Sequence, residues 1–184
     1  MKVKFPKSFA SMGILAALTL MGTWALAADT ATIDKHVAAA MERFDGLSAK
    51  HSDLVAHAAG VLVFPSITKA GVGIGGEHGD GSLSVAGKNA GYYSISGASI
   101  GLTLGASRHS EVILFNTQQA LDKFTKGGDW SIGADTSVAV MKTGAGGDYD
   151  IETLHKPVMV FVFGEKGLMG DASLKGAKIS KIAQ

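Results

Sequence analysis

The sequence predicts an α+β fold in which a glycine-rich, strongly curved and mainly antiparallel β-sheet is accompanied by two N-terminal helices and one inserted helix. The hydrophobic period is helical at first and changes to two after Gly60, which indicates that helices precede strands. Eleven of the 25 glycines lie between Gly71 and Gly105, many of them at strand spacing. Glycine inside strands usually accompanies bulges, sharp bends or the close approach of another backbone. We therefore expect a barrel-like or sandwich-like sheet.

The first 27 residues have the pattern of a secretory signal peptide. Three lysines precede an apolar stretch, and the sequence ALA at residues 25–27 has the small-x-small pattern of a cleavage site. Cleavage near Ala27 is expected to leave a single domain, residues 28–184, in the periplasm or outside the cell. The alternative is an uncleaved membrane anchor, because Phe9 to Ala28 is about long enough to span a bilayer.

Charge and cysteine content exclude several classes of function. The chain has 17 basic and 16 acidic residues, and loss of the three signal-peptide lysines leaves 14 against 16, a formal net charge of −2. Nucleic-acid-binding domains are usually strongly basic, so no nucleic-acid partner is expected. The absence of cysteine excludes thiol nucleophiles, disulfides and thiolate metal sites. The six histidines show no metal-binding spacing, so neither a metal nor a cofactor is predicted.

Two helices are predicted before the sheet. The first runs from Thr32 to about Gly46, and its apolar residues recur at three- and four-residue spacing on one face: Ile33, Val37, Met41 and Phe44. The second is predicted to begin at Ser52, which is a favourable N-cap, and to end at Gly60. The charges of the first helix are mixed, so its apolar face is expected to pack on the sheet.

The remainder of the chain is predicted to be strand, interrupted by one helix. Alternation of apolar with small or polar residues predicts half-buried strands in residues 71–85 and 131–140. Two continuous apolar runs, Glu111–Phe115 and Pro157–Phe163, are typical of strands covered on both faces. Between these runs the sequence TQQALDKF predicts a helix capped by Thr117.

Gly71, Gly73 and Gly76 satisfy the G-x-G-x-x-G spacing of a dinucleotide-binding loop. Such a loop must open a helix whose N-terminus binds pyrophosphate, but no helical period follows before Gly91. The pattern therefore favours a glycine-faced strand that enters a hairpin through residues 78–81. A nucleotide site is the alternative.

Ser99 lies at the centre of the sequence GASIG, which fits the G-x-S-x-G motif of a nucleophile elbow. That motif needs a strand before it and a helix after it. Here alternation continues on both sides and shifts by one residue across Gly97-Ala98, which predicts a β-bulge in a continuing strand. No catalytic residue is therefore predicted, and a Ser99 hydrolase with His155 downstream is the enzymatic alternative.

Five successive blocks of the sequence resemble the SYLF domain family, in the same order. They are GVLVFPSITKAGVGIGGEHGDG, GYYSISGASIGLTLGAS, TQQALDKF, WSIGADTSVAV and GEKGLMGDASLKGAKISKI. The resemblance extends from about Ala31 to Ile182 and implies a non-enzymatic lipid-binding module. Eukaryotic SYLF domains bind phosphoinositide-rich membranes and some bind actin, whereas bacterial relatives are exported single-domain proteins. Actin has no counterpart outside the cell, so we do not expect it as a partner here.

Four lysines are the predicted contacts to anionic headgroups. The resemblance carries over Lys69, in FPSITKAG, and both Lys166 and Lys178 in the last block, while Lys175 lies in the same locally basic segment. Each basic residue near an anionic membrane contributes about 1 kcal/mol of attraction. The expected partner is therefore anionic phospholipid or a membrane surface with phosphoinositide-like headgroups. A structural or stress-response role in the cell envelope, through a protein partner, is the alternative; for Lys69 a solvated loop position is a further alternative.

Overall fold

The structure, a computed structural model, describes residues 22–132, 137–143, 155–167 and 177–182. Residues 1–21 of the predicted signal peptide lie outside this part of the chain. The elements follow in the order α1 (Gly22–Leu47), α2 (Ala49–His57), β1 (Gly60–Val85), β2 (Lys88–Phe115), α3 (Gln118–Lys126), β3 (Trp130–Ser131), β4 (Val138–Lys142), β5 (Val158–Gly167) and β6 (Lys178–Lys181). The predicted α+β class is confirmed, and the sheet curls strongly into a half-barrel.

Both predicted N-terminal helices form, but each begins earlier than expected: α1 begins at Gly22 instead of Thr32, and α2 begins at Ala49. The Ser48 side chain accepts a hydrogen bond from the Lys50 amide at 3.3 Å and caps α2. The predicted N-cap, Ser52, is wrong because it lies inside that helix. Ser48 stands directly at the break after α1, where unpaired amide groups need an acceptor. Gly60 opens β1 instead of ending α2.

Strands β1 and β2 are 26 and 28 residues long and pair in one antiparallel hairpin. The turn lies at Ala86 and Gly87, whose φ angles are 49° and 74°. The turn predicted at residues 78–81 is wrong, since these residues continue to pair with β2. The two positive φ angles that a tight hairpin turn requires are supplied by Ala86 and Gly87.

The hairpin folds back on itself at a glycine-rich bend, residues 70–76 of β1. A Cβ atom at Gly71 would collide with the Cα of Gly75, so the concave side of the bend has room only for glycine. Beyond the bend, a Cβ atom at Gly79 would lie 2.7 Å from the Ser66 carbonyl oxygen. The second half of β1 therefore packs directly on the first half. This close backbone approach confirms why glycines stand at strand spacing here.

Register shifts interrupt the long ladder at three places, and one lies at the bend. There Val72 pairs with Leu104 and Ile74 with Ile100, so β2 has two more residues than β1 across this shift. The predicted continuation of the strand through Ser99 is confirmed, although the shift lies after Ile100 and not at Gly97-Ala98. Bulged residues bend a strand and increase its twist, which fits the sharp fold of the hairpin.

Two hydrophobic clusters cover the two faces of the sheet. The inner face, which carries Leu62, Ile113 and Val160, packs on α3 and β6. The outer face, which carries Val112 and Phe161, packs on α1 and α2. Strand β5 lies between β2, to which it is antiparallel, and β4, to which it is parallel. Its residues 158–163 are all buried, so the predicted strand covered on both faces is confirmed.

Candidate functional site

The most exposed large apolar side chains of the described residues lie at the bend. Val72 is 79% exposed and Ile74 is 71% exposed, compared with 48% for Val140 on β4. Residues two apart on a strand share a face, so both point to the convex, outer side of the bend. Gly71 and Gly75 occupy its concave side. The fold thus projects two β-branched side chains into solvent.

Two exposed cations lie opposite each other on the strands that lead into the bend. Arg108 on β2 pairs with Lys166 on β5, and directly opposite residues of an antiparallel ladder share a face. Arg108 is also opposite Thr68 of β1, four residues or about 13 Å along the strand from Val72. Neither cation has an ion-pair partner among the described residues. Like charges in this position repel each other, so an anion between them would stabilise the arrangement.

The structure describes three of the four lysines that the sequence predicts as headgroup contacts, and it places them apart. Lys166 lies beside Arg108, as described above. Lys178 lies on β6, pairs with Ser96 beyond the bend, and forms an ion pair with Asp129 at 2.5 Å. Lys175 lies outside the described residues. Lys166 and Lys178 therefore stand on opposite sides of the bend and do not form one patch.

Lys69 is buried, with only 6% of its surface exposed. The sequence FPSITKAG suggests an exposed position, but these residues are paired strand. A register shift between Phe64 and Ile67 changes the alternation by one residue and turns Lys69 to the inner face. In this conformation its ammonium faces the interior of the curl, where a planar membrane surface does not reach.

The inner face around Lys69 holds further ionisable groups that sequence analysis missed. Nε2 of His109 and Oε1 of Glu111 lie 3.0 Å apart, and both side chains are buried. Burial raises the pKa of the Glu111 carboxyl, while the bond to His109 lowers it in part. Burial also raises the pKa of Glu77, against the lowering effect of the Lys69 charge. The one available signal was a histidine and a glutamate two residues apart at the start of an apolar strand.

An apolar cavity of about 510 Å³ lies between the N-terminal helices and the turn end of the hairpin. Its apolar lining includes Val37 and Met41 of α1, Val55 of α2 and Val61 of β1, and the hairpin turn lines one side. The turn lies at the opposite end of the folded hairpin from the bend, since the second half of β1 runs back along the first. The cavity and the bend are therefore separate surfaces.

Within the described part of the chain, no three histidine or carboxylate side chains are grouped closely enough to hold a metal ion. Ser99 has strand on both sides and does not stand at the strand-to-helix turn that a nucleophile elbow requires. No helix in the described ranges is long and apolar enough to cross a membrane.

Comparison with known protein families finds a match in the second half of the chain. Residues 96–184, a little under half of the chain, match the family model Ysc84, described as a Las17-binding protein actin regulator. The match confirms the resemblance to SYLF domains over these residues. No curated protein matches the chain. The matched segment contains Arg108 and Lys166, whereas the exposed residues of the bend precede it.

Proposed function

Because residues 96–184 belong to the Ysc84 (SYLF) domain family, which is known for binding lipid and actin, we propose that this protein binds anionic phospholipid at a membrane surface and catalyses no reaction. The observation that carries the proposal is the exposed pair Arg108 and Lys166 on the outer face of the sheet. Guanidinium and ammonium groups are the side chains that bind phosphate best, by bidentate hydrogen bonds and by point charge respectively. A phosphate of a phosphoinositide-like headgroup would reduce the repulsion between them.

A third cation adds to the positive charge of this face. Arg43 on α1 donates from Nη2 to the Ser110 hydroxyl at 3.3 Å. Ser110 lies two residues from Arg108 along β2, so both point to the outer face. Each basic residue near an anionic surface contributes about 1 kcal/mol of attraction. The attraction is local, because the exported chain would carry a net charge close to zero.

The N-terminal sequence supports a location in the periplasm or outside the cell. An exported protein would meet the membrane leaflets that face the periplasm or the outside of the cell. We propose that the protein acts there as a peripheral membrane protein. Analysis of the N-terminus of the protein isolated from cells tests the location: cleavage near Ala27 is expected, and an intact N-terminus would contradict it.

Co-sedimentation with vesicles tests the proposed function. The protein as isolated from expressing cells is mixed with phosphatidylcholine vesicles, with or without phosphatidylglycerol, at low and high salt. We expect binding only to the anionic vesicles and only at low salt. The double variant R108E/K166E should bind at least about thirtyfold more weakly, since two attractive charges worth about 1 kcal/mol each are lost and two repulsive charges are added.

The matched control is K35E/K88E, which changes the net charge equally. Lys35 and Lys88 are exposed and lie near the turn end of the hairpin, where Asn89 donates to Asp34 at 3.2 Å. This variant should keep most of the binding to anionic vesicles. Equal losses in both double variants would mean that overall charge, and not this face, drives the interaction. Failure of the unmodified protein to bind anionic vesicles at low salt would refute the function.

A role through protein contacts, structural or in stress response within the envelope, is the second candidate. The cavity beside the N-terminal helices favours it, because an apolar groove of this kind can accept side chains of a partner. Under this alternative the protein does not bind vesicles and co-purifies with one defined envelope protein. Substitution of Met41 by glutamate, in the cavity wall, should then abolish co-purification.

A further inference from the structure

We propose that the bend of the hairpin is a membrane-inserting element, and that Val72 and Ile74 enter the interfacial layer of an anionic bilayer. The inference rests on the proposed function, which supplies the partner, anionic phospholipid. It adds which residues of the protein enter the bilayer. It assigns to two residues outside the family match a role that the cationic pair alone does not supply.

The shape of the bend carries the first step. The collision that a Cβ atom at Gly71 would make with Gly75 shows how tightly the chain curves on its inner side. Side chains on the outer side are therefore spread apart and project beyond the rest of the sheet. Ala70 and Gly76 on either side are also exposed but are small. Among the described side chains, Val72 and Ile74 are thus the ones that first meet a flat surface approached from this side.

The second step is the position of the charges. Arg108 and Lys166 lie on the same face, about 13 Å along the strand behind Val72. Interfacial segments bury their apolar residues about 5–10 Å into the boundary between headgroups and acyl chains. Insertion of the bend to that depth would leave the two cations at or just above the phosphate layer. An apolar tip followed by cations complements the layered structure of an anionic membrane.

The third step is the state of the backbone. Polar backbone groups that enter lipid must be hydrogen-bonded within the protein. The ladder pairs Val72 with Leu104 and Ile74 with Ile100, so the inserted segment is part of a two-stranded ladder. Groups left between these pairs by the register shift would remain in the hydrated interface, because the insertion is shallow.

A protein partner fits this surface less well. Stable protein interfaces bury about 1,200–2,000 Å² in total, far more than two projecting side chains can contribute. Small-molecule sites are concave, whereas the bend is convex. A second copy of the chain on the bend is therefore an outcome for the test to exclude.

Single cysteines provide the direct test, since the chain contains none of its own. V72C, I74C and the control V140C are labelled with an environment-sensitive fluorophore and mixed with anionic vesicles whose lipids carry quenchers at known depths. We expect a blue shift and quenching by shallow quenchers at positions 72 and 74. At Val140, which is exposed but lies on β4, the probe should stay in water.

Replacement by threonine provides the second test, because it keeps the β-branched shape and adds a hydroxyl. V72T/I74T should partition into anionic vesicles about tenfold less than V140T, with the same dependence on salt. If the protein binds vesicles while the probes at 72 and 74 stay in water, the inference is wrong and the proposed function stands. If the unmodified protein does not bind, the proposed function fails first. If V72T/I74T changes only self-association, the bend is a contact between copies.

Discussion

The base and the bend of the long hairpin are made from the same two strands but differ in what covers them. At the base, residues 112–115 of β2 lie between β1 and β5 and are buried on both faces. At the bend, the inner side is filled by glycine backbone and the outer side chains of Val72 and Ile74 are bare. The comparison suggests that the base determines stability, whereas the bend can meet a partner without loss of stability.

The largest effect on stability is expected at the base, from Phe161→Ala. Phe161 is fully buried in the outer cluster, 5.1 Å from the ring of Phe44 and 5.3 Å from that of His51. Loss of a buried aromatic side chain leaves a cavity and lowers the free energy of unfolding by about 3–5 kcal/mol. Urea unfolding followed by circular dichroism measures it. A change below about 1 kcal/mol would mean that the cluster is not part of the stabilising core.

A smaller effect is expected where the two halves of β1 touch, from Gly79→Ala. The new Cβ would lie 2.7 Å from the Ser66 carbonyl oxygen and 2.9 Å from a side-chain carbon of Ile67. Overpacking of this kind lowers the free energy of unfolding by about 1–3 kcal/mol. Gly46→Ala is the matched control, since nothing lies within 4 Å of its new methyl group on α1. That control should be neutral or stabilising by up to about 1 kcal/mol, because alanine favours helix.

The buried carboxyl groups of the inner face predict a dependence of stability on pH. The pKa of Glu111 is raised by burial in the folded state, so folding favours its protonated form. The contribution of Glu111 to the free energy of unfolding is therefore fully present below its pKa in the unfolded chain, about 4.5. It is lost as the pH rises through the pKa of the folded state. Each unit of difference between the two pKa values corresponds to about 1.4 kcal/mol.

Glu111→Gln removes this titration and keeps an oxygen that can hydrogen-bond to His109. The wild type should therefore become less stable relative to the variant as the pH rises from 4 to 8. Urea unfolding at several pH values measures the difference. Asp122→Asn is the control: its pKa is lowered, mainly by the hydrogen bond from Lys126, so its contribution is lost as the pH falls through its folded value. A parallel pH profile of both variants would contradict the assignment.

Local signals in the sequence predicted the elements that depend on a few neighbouring residues. Thr117 caps α3 because its hydroxyl accepts a hydrogen bond from Ala120, and such caps are read from spacing alone. The apolar run of β5 is likewise recognisable because both of its faces are buried. The glycine spacing correctly indicated curvature, since glycine is needed wherever two backbones touch.

Features that depend on register could not be predicted in this way. The direction of Lys69 is set by a register shift several residues earlier, and a shift by one residue turns every following side chain to the other face. Glycines at residues 78–81 have the composition of a turn, and only the approach of the first half of β1 shows that they pack instead. The pairing of Arg108 with Lys166 joins strands about 60 residues apart in sequence, and no local pattern reports it.

The smallest effect on stability is expected at the bend, from V72T/I74T. Stabilisation by apolar side chains follows the area they bury, and these two bury little because they are 79% and 71% exposed. Threonine also keeps the β-branched shape that strands favour. The free energy of unfolding, measured in urea, should therefore change by no more than about 0.5 kcal/mol, as for other surface substitutions. A loss of more than about 2 kcal/mol would show that the bend belongs to the core, and the division between a stabilising base and an available bend would be wrong.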